Sequence, residues 1–204
     1  MTDALSIITS RTSANNFDST ASLTADQIEE LVSYTQNAPT AFNLQNWRVV
    51  AFSSKAQKEA LKAAAYGQQK VVDAAVTFVV VGIKDGYKEI ARLAKPLLDN
   101  GAIDQAAYDG WVGMTVGSHE NNPQLQHDEA FRSASLAAMT LMYAAQAKGY
   151  VSGPMSGFVP DQVSTVAGLG PNEIPVILVA VGPAAPGNWP RKPRRPLAEQ
   201  VKIV

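Results

Sequence analysis

The chain has 204 residues, 46% of them hydrophobic and 17% charged, and a net charge of −1. That length fits one domain, and so much apolar material builds a core without crosslinks. The near-neutral balance excludes a strong field toward nucleic acid or an anionic membrane, and the absence of cysteine excludes disulfides, thiolate metal sites and cysteine nucleophiles.

The opening MTDALSIITSRTS has no basic region followed by a long apolar run, so no signal peptide is expected. No stretch approaches the ~20 apolar residues of a membrane span. The expected location is therefore the cytoplasm. Residues 3–10 have helical spacing, and Arg11 to Ser22 is polar and irregular. Thr24 followed three residues later by Gln27 makes a capping box, and Ile28, Leu31 and Val32 form the apolar face of the helix it starts. Ala38-Pro39-Thr40-Ala41-Phe42-Asn43 reads as the loop that follows. Trp47–Phe52 is β-branched and aromatic, which predicts a strand. Ser54 and Gln57 repeat the capping pattern and predict a helix to about Ala65.

Thr77–Ile83 shows no alternation and predicts a strand buried on both faces. Tyr87–Leu98 and Gln105–Ser118 read as helices, with Asn121-Asn122-Pro123 as an interruption. His127–Lys148 is the longest helical segment, and its part from Ala134 to Ala147 is apolar nearly all round. Such a helix belongs in a core or a subunit interface. The low charge content points the same way. Ile174–Val181 predicts a second buried strand, and the tail is rich in Pro and Arg. With no repeat and no linker, residues 1–204 read as one α+β domain.

Several kinds of chemistry lack their residues. His119 and His127 have no acids at metal-ligand spacing and read as partly exposed polar groups. There is no G-x-S-x-G elbow, no Walker loop and no G-x-G-x-x-G after a strand. Gly168-Leu169-Gly170 reads as a turn. Hard chemistry in such a chain belongs to a bound cofactor.

Four segments stand out. Arg11-Thr12-Ser13-x-Asn15 offers a cation, hydroxyls and an amide that suit a phosphate and a sugar chain. Ala38 to Trp47 is a proline-bearing loop with carboxamides, groups that pair with the uracil-like edge of a flavin. Gly149 to Phe158 is rich in small residues, which let backbone amides approach a flat ligand. Arg191-Lys192-Pro193-Arg194-Arg195-Pro196-Leu197 holds four cations. A solvated basic tail or a weak nucleic-acid patch is the other reading of that stretch.

Taken in order, these segments resemble the FMN-dependent nitroreductase family, over nearly the whole chain. The stretch A-P-T-A-x-N-x-Q-x-W is similar to the family's A-P-S-x-x-N-x-Q-P-W. R-T-S, G-P-M-S-G-F and K-P-R-R-P-L resemble its R-x-S, P-x-x-G-F and K-x-R-x-P-L. The resemblance implies a mixed, mainly antiparallel sheet flanked by helices. It also implies an intertwined homodimer whose C-terminal segment crosses to extend the partner's sheet. FMN would lie at the interface, held non-covalently. Arg11, Lys192 and Arg194 would hold its phosphate. Thr12, Ser13 and Asn15 would serve the phosphate, the ribityl chain or the near side of the ring. Pro39, Thr40 and Asn43 would reach in from the other subunit. Gln68 would sit near the pyrimidine edge, Pro154 and Met155 against the ring, and the Ser156 and Gly157 amides toward N5 and O4.

This sequence departs from the family at three places. Asn46 replaces a proline before Trp47, Asn15 stands where many members carry Lys or Arg, and Ser156 stands where several carry Glu. The Asn15 departure implies a weaker positive charge near the flavin's N1–C2=O region. The reaction implied is ping-pong: NADH or NADPH gives a hydride to the flavin, and a nitroaromatic, quinone or activated alkene then takes the electrons. Besides a small basic-tailed nucleic-acid binder, two alternatives stay open. One is a flavin-binding or regulatory dimer. The other is a relative with a different flavin reaction, such as enone reduction, dehalogenation, flavin cleavage or a dehydrogenation.

Overall fold

A computed structural model describes residues 4–204. The expected helix start at residue 3 lies outside the described residues. The first helix, α1 (Ala4–Ser10), is followed by α2 (Ala25–Thr35). Thr24 and Gln27 close the expected capping box: Gln27 N–H donates to Thr24 Oγ1 at 3.3 Å and Thr24 N–H to Gln27 Oε1 at 2.9 Å. Strand β1 (Trp47–Phe52) leads to α3 (Lys55–Ala64), capped by Ser54, and to a short helix α4 (Lys70–Asp73). Next come β2 (Val76–Ile83), α5 (Ile90–Asp99), α6 (Gln105–His119) and the long α7 (Pro123–Ala147). The chain then forms β3 (Val151–Met155), α8 (Pro160–Ala167) and β4 (Glu173–Gly182).

The four strands make one sheet in the order β1-β2-β4-β3, with every neighbouring pair antiparallel. A parallel contact comes only from an isolated bridge between Ser13 and Ser152, among the described residues. The absence of alternation in β2 has a simple cause. Phe78 and Val80 pack on one side with α2 and α7, while Val79 and Val81 pack on the other with α3 and α8. Successive side chains point to opposite faces, and both faces are covered. The α7 backbone lies tight on the sheet: a Cβ at Gly82 would come within 2.6 Å of the Ala130 carbonyl. Register in the β2–β4 pair shifts between Val80 and Val81, where Pro175 on β4 faces Val81. Proline lacks a donor, and a bulge is where a sheet tolerates it.

Two expectations are corrected. His119 is buried at 3% exposure, not partly exposed. Its Nδ1 meets the Thr115 carbonyl at 2.9 Å and its ring stacks on Tyr87 with centroids 5.4 Å apart. The packing of α6 decides that burial, which local sequence does not reveal. The long helix also begins at Pro123, not His127. Asn122 caps it, accepting from Leu125 N–H at 3.1 Å. The proline that reads as an interruption is at the first helical turn, where a missing N–H costs nothing. His127 is exposed, with half of its side-chain surface open, and Gly168 ends α8 in the left-handed conformation, as its turn-like sequence suggested.

Candidate functional site

The segment after α1 is held against the edge strand β3. Ala14 N–H donates to the Ser152 carbonyl at 2.9 Å. Gly153 permits the approach, since a Cβ there would meet the Ala14 carbonyl at 2.5 Å. A little further on, Phe17 bridges to Ala184 and Asp18 N–H donates to the Pro183 carbonyl at 3.0 Å. The start of the C-terminal tail therefore runs beside residues 13–18. The tail then turns back along the same segment and encloses a cleft.

Arg11, Thr12, Ser13 and Asn15 form one wall of this cleft, and Trp189 to Lys192 with Arg194 form the other. The first and last of the four segments thus meet, although the sequence separates them by most of its length. No Asp or Glu lines the cleft among the described residues. Burial holds the Arg11 guanidinium below its usual pKa range; Tyr143 opposes that shift, and nearby Arg191 and Arg194 add to it. Its Nη1 is buried without a hydrogen-bond partner. The Arg194 Nη1 donates only to carbonyls of its own tail, Lys192 at 2.9 Å and Pro193 at 3.5 Å. Lys192 lies over the Trp189 ring, 5.2 Å from its centroid. Unneutralised cations with a buried donor left over make a site that favours an anion.

The tail cations are not equivalent. The Arg191 Nη2 donates to the carbonyls of Thr9 and Arg11, the latter at 2.9 Å. It caps the C-terminal end of α1, where free carbonyls and the helix dipole favour a cation. A solvated basic patch would not commit a guanidinium this way.

Lys70 is a residue that sequence reasoning missed. It opens α4, and its Nζ donates to Asn15 Oδ1 at 3.2 Å. Burial, then the nearby Lys192, lowers its pKa from the usual lysine value. The positive charge that Asn15 itself lacks therefore reaches this wall from another segment.

The third segment adjoins the same edge. Pro154 is half-buried and Ser156 exposed, while Met155 is 3% exposed and packs into the core. The Gln68 Nε2 donates to the Gly157 carbonyl at 2.7 Å and to the Ala65 carbonyl at 3.1 Å. Tyr66 and Gly67, with φ of 53° and 70°, make the turn that presents Gln68. A Cβ at Gly157 would meet Gln68 and Tyr66 within 3.7 Å. Gln68 and Gly157 are thus brought together.

The second segment stands apart. Pro39, Thr40 and Asn43 lie before β1, at the opposite edge of the sheet from β3, and none of them lines the cleft. Three strand spacings separate those edges, roughly 14 Å. The loop is held in a demanding shape, with Phe42, Asn43 and Gln45 at φ of 52°, 53° and 46°. Thr40 Oγ1 accepts from Gln45 N–H at 3.0 Å and steadies the turn. Non-glycine residues in the left-handed region cost energy and concentrate at functional sites. Behind the loop, Asn46 is buried against Gly86, whose added Cβ would come within 2.5 Å of Asn46 Cβ.

Comparisons with known proteins agree on one family. The model described as "Nitroreductase family" matches residues 8–183. A Bacillus subtilis (strain 168) protein named as an NAD(P)H nitroreductase, MhqN, is 34% identical over 206 residues, covering 100% of both chains. The crystal structure of the Bacillus subtilis ydfN protein superposes with a TM-score of 0.93 at 34% identity, covering 98% of each chain. A structure from Exiguobacterium sibiricum 255-15, in complex with FMN, has a TM-score of 0.91 at 24% identity, covering 100% of this chain and 98% of that one.

Proposed function

The chain belongs to the nitroreductase family, and from that premise we propose that it is a homodimeric FMN oxidoreductase that draws on NADH or NADPH and reduces a small electron-poor acceptor. The observation that carries this reading is the cleft: several cations without an acidic partner, and the buried Nη1 of Arg11 lacking an acceptor. A phosphate monoester fits that donor set. The FMN named for the Exiguobacterium sibiricum neighbour and the NAD(P)H named for MhqN support the choice of cofactor and reductant.

FMN, when bound, would supply the redox chemistry, namely hydride acceptance from a nicotinamide and electron donation to an acceptor. The chain supplies binding, orientation and charge. Arg11, Lys192 and Arg194 hold the phosphate in this reading, with the hydroxyls of Thr12 and Ser13 beside them. Asn15 and Lys70 together bring a donor and a positive charge to the next part of the same wall. Gln68 donates to the Gly157 carbonyl and so steadies the chain just after the Ser156 and Gly157 N–H groups that this reading turns toward the flavin. Pro154 gives a half-buried apolar contact.

A second copy completes the site. The outward face of α7 leaves Phe131 46% and Leu136 41% exposed, with Tyr143 and Ala144 half-buried. The tail leaves Leu197, Val201, Ile203 and Val204 exposed. Apolar surface of this extent supports a subunit interface. The separation of Pro39, Thr40 and Asn43 from the cleft supports their serving the partner's flavin. Steady oxidation of NADH or NADPH by flavin-loaded protein, with a quinone or a nitroaromatic as acceptor, tests the enzyme reading. A protein that binds FMN and turns over neither acceptor with either nucleotide would be a flavin-binding dimer instead.

A further inference from the structure

One side chain in the cleft region has every hydrogen-bonding position filled by segments from opposite ends of the chain. Asn188 Oδ1 accepts from the backbone N–H of Asn15 at 2.8 Å and of Asn16 at 2.9 Å. Its Nδ2 donates to the Asn16 carbonyl at 2.7 Å and to the Ala185 carbonyl at 3.1 Å. An amide has two acceptor positions and two donor hydrogens, so nothing on this one is spare. The sequence separation is 173 residues for Asn15 and 172 for Asn16. The turn before Asn188 is shaped for the purpose: Gly187 has φ of +91°, and a Cβ there would press on Asn16 Nδ2 at 3.0 Å. Asn16 answers with a hydrogen bond from its own Nδ2 to the Pro186 carbonyl at 3.3 Å.

The position of this clasp matters more than its bond count. Asn15 ends one wall of the cleft and Trp189 begins the other, so Asn188 joins the walls where they meet. Arg191 fastens the same two walls again, through the carbonyls of Thr9 and Arg11. Between the two fastenings sit Thr12 and Ser13 on one side and Trp189 and Pro190 on the other, and Lys192 follows directly after the second fastening. Asn188 and Arg191 both lie beyond residues 8–183, the part matched by the family model.

We infer that Asn188 is a positioning residue: it sets the distance between the two cationic walls before any anion arrives, and so acts through Lys192 and Arg194. A wall held in place beforehand does not charge its ordering entropy to the ligand. Like-charged walls that face each other without an acid would otherwise separate. The inference rests on the reading of the cleft as a phosphate site.

The test compares FMN with riboflavin, which lacks the phosphate, by flavin fluorescence quenching on the apoprotein. Asn188→Ala weakens FMN binding about tenfold and leaves riboflavin binding within about twofold, so the preference for FMN collapses. The double variant Asn188→Ala/Arg194→Ala loses less than the sum of the two single losses, because both act on one wall. Gly187→Ala disturbs the clasp from the turn without touching the amide, and gives the same pattern if Asn188→Ala does not fold. Equal weakening of both flavins, additive losses with Arg194→Ala, or an undiminished FMN preference in both single variants overturns the inference. Unsubstituted protein that binds riboflavin as tightly as FMN would instead overturn the phosphate reading, and the clasp with it.

Discussion

Lys70 Nζ donates to Asn15 Oδ1 at 3.2 Å, across 55 residues of sequence. A wall of the cleft whose own residue is neutral thereby acquires an ammonium group. Burial first, and Lys192 second, make that charge harder to hold than on a free lysine. The attraction of an anion bound nearby offsets both effects.

A pH dependence follows, and its sign is fixed. Without an anion, Lys70 loses its proton below the ordinary lysine value of ~10.4. A bound phosphate favours the charged form and raises the pKa again. FMN affinity is then full below the depressed pKa and declines as pH rises from it toward the ordinary value. Lys70→Met binds FMN more weakly at neutral pH and loses this part of the decline. Titrating affinity against pH for both proteins checks it. Parallel curves would mean that Lys70 does not sense the bound anion.

Arg194 and Arg195 are adjacent, but only Arg194 lines the cleft. A hydrogen bond from a charged group is worth ~1.5–3 kcal/mol, so Arg194→Ala weakens FMN binding by roughly tenfold to a hundredfold. Arg195→Ala leaves it unchanged. Turnover per bound flavin is also unchanged in Arg194→Ala, because the phosphate lies far from the reacting ring, and excess FMN restores activity. Equal, negligible effects of the two substitutions on flavin affinity would remove the tail from the site.

The long helix gives a test of assembly. Ala138 and Met142 face the core of their own chain, at 2% and 7% exposure, whereas Leu136 faces outward. A glutamate at Ala138 therefore destabilises the subunit itself by several kcal/mol. Leu136→Glu spares the subunit core and places an unpaired charge where a second copy would pack. Sedimentation should show a dimer for the natural chain and dissociation for Leu136→Glu. A natural chain that sediments as a flavin-loaded monomer would contradict the two-subunit site.

Much of the fold was legible because its signals are local. The capping pairs at Thr24 and Ser54 and the unbroken apolar runs of β2 and β4 depend on residues a few positions apart. Strand β3 was not legible, since Gly153 and Pro154 weaken a strand's signature and the strand lies at an edge. Helix α8 has Val159 before it, which gives no capping signal. The burial of His119 depends on how α6 packs. In the site, the ordered motifs pointed to Arg11, Lys192 and Arg194, which the structure places in one cleft. They did not distinguish Arg191, whose guanidinium serves backbone carbonyls, or reveal Lys70 and Asn188. Those three roles exist only once distant segments meet.

The most direct test of the account is the absorption spectrum of the purified protein, recorded before and after anaerobic addition of NADH and then of NADPH. The account predicts a yellow protein that releases FMN, not FAD, on heating, and whose visible flavin bands are bleached by at least one of the two nucleotides. A colourless protein that takes up no added FMN, or a bound flavin that neither nucleotide bleaches, would contradict it.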